Sequence, residues 1–104
     1  MEVQPEILIN NFQLGVLLSG LDRKFFCFII KNNVFCSQCK NFAIDGVDVD
    51  RAYLTKTNDV RVFGRCKRCN SEVIRLFEFG NDKEFRDKAN RLRESIKEQA
   101  LLGV

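Results

Sequence analysis

The sequence predicts a small α+β fold, an antiparallel β-sheet followed by an amphipathic C-terminal helix. Three observations predict it. Two Cys-x-x-Cys pairs, Cys36/Cys39 and Cys66/Cys69, are separated by 26 residues. Residues 53–57, 60–63 and 73–79 gather β-formers or alternate apolar with polar side chains, as short strands do. After Asp82, residues Phe85, Ala89, Leu92 and Ile96 recur at spacings of four and three, which places them on one helical stripe.

Residues 1–33 are the N-terminal segment. Ile7, Leu8, Ile9, Phe12, Leu14, Val16, Leu17 and Leu18 are apolar, and neither the strand nor the helix period dominates. Pro5-Glu6 suits a helix start and Gly15 weakens one. Residues 24–36 carry many β-formers around Lys31-Asn32-Asn33, which offers a tight turn. The expectation is a hairpin of 24–30 against 34–36, with a helix over 21–31 as the competing reading. Cys27, inside the apolar run 25–28, is expected to be a buried small hydrophobe.

Residues 34–80 form the cysteine segment. Asn58-Asp59 suits the turn between strands 53–57 and 60–63. In 73–79, Val73, Arg75, Phe77 and Phe79 share one face, and Ile74, Leu76 and Glu78 the other. Gly80-Asn81 then interrupts the pattern, and Asp82 can cap a helix through residues 81–104. The whole length, 104 residues with 45% hydrophobic content, fits one folded domain.

The cysteine spacing has a chemical meaning. Two thiolates separated by two residues sit on one tight turn and aim at one point. Two such turns complete a tetrahedron around a metal ion with metal–sulfur distances of about 2.3 Å. The chain contains no His, so Cys36, Cys39, Cys66 and Cys69 are the natural four-ligand set. Asn70 and Lys40 follow the two pairs, where such turns call for positive φ, which Asn tolerates better than Lys. Gly64, two residues before Cys66, is expected to let the strand bend into the turn. Zinc is the expected ion. A redox pair, disulfides and a rubredoxin-like iron site are the competing readings of these cysteines. Neither pair precedes a helical pattern, as a redox motif would. The N-terminus lacks a secretory signal, with Glu2 and Glu6 where basic residues belong, so an intracellular, reducing compartment is expected rather than secretion. Neither pair has the Pro and Gly typical of rubredoxins.

The segment 34–79 resembles zinc ribbons as a class, above all in Val62-Phe-Gly-Arg-Cys66-Lys-Arg-Cys69-Asn-Ser-Glu-Val73-Ile-Arg-Leu76. The resemblance implies two knuckles joined through a β-hairpin and a structural zinc. An all-thiolate site leaves no open position for water, and without His no general base is in evidence, so an enzyme is not expected.

Net charge is +3, but residues 51–75 carry seven basic and two acidic side chains. Arg61, Arg65, Lys67, Arg68 and Arg75 are therefore candidate phosphate contacts, and the leading expectation is a role in nucleic-acid machinery. Tyr53 and Phe63 are candidates for stacking on bases or for the core. The alternative is a protein-interaction or structural subunit of a larger assembly, a virion included. There the ribbon acts as a folding staple, and Phe85, Leu92, Ile96, Leu101 and Leu102 make the contact. Asp45, Asp48 and Asp50 are expected in a solvated loop, since they do not match a calcium-loop pattern. No apolar run approaches the roughly 18 residues of a membrane span, and nothing points to a small-molecule substrate.

Overall fold

The computed structural model of the chain describes residues 6–102, with the side chains of residues 100–102 outside that description. Its elements in order are β1 (Ile7–Ile9), α1 (Asn11–Leu17), α2 (Gly20–Asn32), β2 (Phe35–Cys36), β3 (Asn41–Phe42), β4 (Val47–Leu54), β5 (Val60–Cys66), β6 (Glu72–Phe77) and α3 (Lys83–Leu102). Strands β1, β4, β5 and β6 form one antiparallel sheet in that order, and β2 and β3 pair separately. This is the α+β architecture expected from the sequence.

Alternation along β5 organises the molecule. Val60, Val62, Gly64 and Cys66 are buried on the inner face, while Arg61, Phe63 and Arg65 face the other way. One strand thus supplies the core at one end and a cysteine at the other. Ile9, Ala52, Leu54 and Phe77 extend the inner face, and Leu17, Leu18, Phe26, Ile29, Phe85 and Ala89 cover it from the helices. A smaller cluster of Val34, Cys36, Ala43, Val47, Cys66 and Val73 lies at the cysteine end, with Ile30 packed against both.

The expected hairpin over 24–36 is corrected to helix α2, the competing reading. Phe26 and Ile29 are buried and Ile30 is partly buried, a helical spacing that meets the inner sheet face. Asp22 in the first turn and Lys31 in the last suit the helix dipole. Asn33 is the C-cap of α2, its N–H donating to the Ile29 carbonyl at 2.8 Å. Burial against the sheet overrides the β-propensity of the Phe/Ile run. The same rotation turns Cys27 outward, so it is exposed, not buried.

The helix start sits elsewhere than Pro5-Glu6. Pro5 lies outside the described residues, and Glu6 precedes β1 rather than a helix. α1 begins after Asn10, which forms a capping box with Gln13 through two 2.8 Å hydrogen bonds. At the other end, Asp82 caps α3, its Oδ1 accepting from the Glu84 N–H at 3.4 Å.

α3 is locked by a side chain that looks solvent-facing in the sequence. Arg93 is 6% exposed and donates to Asn58 Oδ1 at 3.0 Å and to the Thr55 carbonyl at 2.6 Å. Asn58 takes positive φ (62°) in the β4–β5 turn, as expected. Asp59 of that turn accepts from the Gly80 N–H at 2.8 Å, tying the turn to the α3 entry.

Candidate metal centre

Each cysteine pair sits on a hairpin end. In the first knuckle, β2 and β3 pair Cys36 with Asn41 and Phe35 with Phe42. In the second, β5 delivers Cys66, and its strand-like exit closes a turn in which the Asn70 N–H donates to the Cys66 carbonyl at 2.8 Å. Lys40 and Asn70, one residue after each pair, both adopt positive φ, 55° and 63°. Both follow from the same turn geometry, and only Asn70 suits it well.

Gly64 has a different reason than the bend expected for it. It lies in regular β5 register opposite Val49 and Val73. A Cβ there would stand 2.5 Å from the Asp48 carbonyl oxygen and 2.7 Å from a Val47 methyl. The β4 register slips between Val49 and Arg51, and the two backbones close up beside it.

The two knuckles bring all four sulfurs within 4.8 Å of one another. Cys36 Sγ lies 3.5 Å from Cys69 Sγ, and Cys39 Sγ lies 3.9 Å from Cys66 Sγ. A zinc–thiolate tetrahedron with bonds of about 2.3 Å has sulfur–sulfur edges of about 3.8 Å, so the donor set fits such an ion. The proton chemistry fits too. Sharing hydrogen bonds with Cys69, aided by burial and the other thiols, pushes the Cys39 thiol up to about 12. Hydrogen bonds from the Ser71 hydroxyl and N–H pull Cys69 down to about 6. Four sulfurs this close do not share four negative charges by themselves, whereas a divalent cation favours all four thiolates.

The basic residues predicted for phosphate contact are not gathered on one patch. Arg61 and Arg65 stand on the outer sheet face, Lys67 and Arg68 on the second knuckle, and Arg75 alternates with them onto the inner side. Four of them face acids. Arg61 pairs with Glu6, Arg65 with Asp50 at 3.1 Å, Lys67 with Asp48 at 3.9 Å, and Arg68 with Asp45 at 3.2 Å. The expected acidic loop is thus corrected: Asp48 and Asp50 lie on β4, opposite the basic strand and knuckle. Tyr53 and Phe63 are half-buried on the outer face, edge to face at 5.6 Å, with the Arg51 guanidinium 4.3 Å over Phe63.

The partner-contact residues predicted on α3 divide. Phe85 is buried in the chain's own core, because its stripe is what seats α3 on the sheet. Leu92 packs partly on that core and Ile96 is half-buried. The side chains of Leu101 and Leu102 lie outside the described residues. Exposed apolar surface lies instead on α1, α2 and the first knuckle. Phe12, Leu21, Phe25, Phe28, Phe35 and Phe42 are all exposed, Leu21 by 82%. The helical reading of 21–31 contains the signal that finds part of it, since Leu21, Phe25 and Phe28 make a second stripe at i, i+4 and i+7.

Among the described residues, no helix is long and apolar enough to cross a membrane. The chain matches no protein-family model, no curated protein and no solved structure.

Proposed function

We propose that this protein is a non-enzymatic docking module whose knuckles are held by one structural zinc ion. Zinc is favoured by the all-sulfur donor set and by edges close to those of its tetrahedron. Four thiolates fill the coordination shell, so the ion serves folding and not water activation. The observation that carries the docking role is the exposed phenylalanine surface of α1, α2 and the first knuckle. Exposed apolar side chains that cluster, as Phe35 and Phe42 do edge to face at 6.3 Å, mark protein contacts. Aromatic side chains in particular anchor such interfaces.

A nucleic-acid role is the second reading. It is favoured by the open outer sheet face, where Arg51, Phe63 and Tyr53 offer cation and ring surfaces for stacking. Against it, the knuckle cations are engaged by Asp45, Asp48 and Asp50, which lowers the charge available to phosphate.

Affinity purification from the native cell separates the two. The docking role predicts a protein partner lost from at least one of Phe25→Asp and Phe12→Asp and retained by Arg65→Glu/Arg68→Glu. Recovery of nucleic acid that only the arginine variant loses, with no protein partner, contradicts it.

A further inference from the structure

β6 is an edge of the four-stranded sheet among the described residues. β2 meets β6 at the cysteine end, where Cys36 and Val73 share a cluster, and among the described residues no strand pairs with Ile74–Phe77 on the side away from β5. Ile74 and Leu76 on that stretch are exposed. An open edge presents a row of backbone donors and acceptors, a template for another strand.

The neighbourhood of this edge is built for more than water. Phe25 of α2, on the exposed Leu21/Phe25/Phe28 stripe, stands edge-on to Phe77 at 6.3 Å and to Phe79 at 6.4 Å, so it borders β6. Between them lies a cavity of about 260 Å³ lined by Phe25, Phe77, Phe79, Arg75 and Glu78, with Leu76 at its rim. The Arg75 Nε–H is buried and lacks an acceptor among the described residues. A buried unpaired donor of this kind is costly to the free chain.

We propose that β6 receives an extended segment of a partner protein by strand addition. The added backbone pairs with Ile74–Phe77. Its inward side chains, on alternate residues, cover Phe25 and enter the phenylalanine cavity. Arg75 and Glu78 give the cavity one charge of each sign, which favours a neutral apolar strand over a polyanion. A peptide bound this way draws affinity from main-chain bonds and specificity from alternate side-chain pockets. The proposal rests on the docking role and names its partner as a β-strand.

The test is selection of random peptides displayed on phage against the full, metal-loaded chain, followed by binding and amide exchange with the synthesised winner. Enriched sequences should be apolar at i, i+2 and i+4. The winner should slow exchange of residues 74–77 by about tenfold or more. Phe25→Asp, and independently Leu76→Asp, should weaken it by about tenfold with unchanged metal content, while Phe12→Asp should leave it unaffected. Winners with helical spacing, lost only from Phe12→Asp, overturn strand addition and leave the docking role standing. A free chain that sediments as a dimer with residues 74–77 already protected from exchange overturns it as well. Failure to select any peptide on any surface overturns both.

Discussion

The two hydrophobic clusters of the inner sheet face share strands but not a means of support. The larger is built from three helices on four strands, with Leu17, Leu54, Val60 and Phe85 at or near zero exposure. Apolar packing is its main support, since each such side chain contributes about 1.5–3 kcal/mol on burial. The smaller consists mainly of Val34, Ala43, Val47 and Val73 around two cysteines. Small side chains at the end of a sheet offer little apolar area, and both hairpins there carry a positive-φ residue. An ion held by the four sulfurs would supply what packing there does not.

Metal removal is expected to have the largest effect. Chelation, or Cys66→Ser, should cost the knuckle end several kcal/mol, given the order of 10 kcal/mol with which structural sites bind zinc. Amide exchange should show Val47, Cys66 and Val73 losing protection well before Leu54 and Val60. Simultaneous loss at both ends makes the two clusters one cooperative unit and refutes the division.

The reverse experiment strikes the larger cluster. Arg93→Ala removes the donor to Asn58 and Thr55 and leaves both acceptors buried, an expected loss of about 3 kcal/mol in denaturant unfolding. Metal content should be unchanged. A smaller effect is expected where the clusters meet. Gly64→Ala sets a methyl against the Asp48 carbonyl and should cost about 1–3 kcal/mol. Smallest, and of opposite sign, is Lys40→Gly. It relieves a left-handed Cβ on the first knuckle, and after the entropy cost of glycine it should stabilise the metal-bound form by about 0.5 kcal/mol. A null result there places the first knuckle's strain elsewhere than Lys40.

Much of this was legible in the sequence, unevenly. The cysteine quartet was, because ligand spacing is local and the tetrahedron is set by the metal. The Asn58-Asp59 turn, the Asp82 cap and the 85–89–92–96 stripe were also legible, since each depends on neighbouring residues. Helix α2 was not, because Phe25, Phe26, Phe28, Ile29 and Ile30 are β-formers and only contact with the sheet decides their period. Arg93 reads as one more cation on a charged helix, and nothing local shows that a turn 35 residues earlier in the chain will accept its protons. The basic stretch misled in the same way. Charge counted along residues 51–75 omits Asp45, Asp48 and Asp50, which antiparallel pairing sets beside it.

We infer that Cys36, Cys39, Cys66 and Cys69 close around a single ion that the knuckle end requires. Elemental analysis combined with native mass spectrometry, on protein purified under reducing conditions, tests it most directly. The account predicts one zinc per chain, bound through four deprotonated thiols and lost from Cys69→Ser. Metal-free protein whose knuckle amides are as protected as those of the helix–sheet core contradicts it.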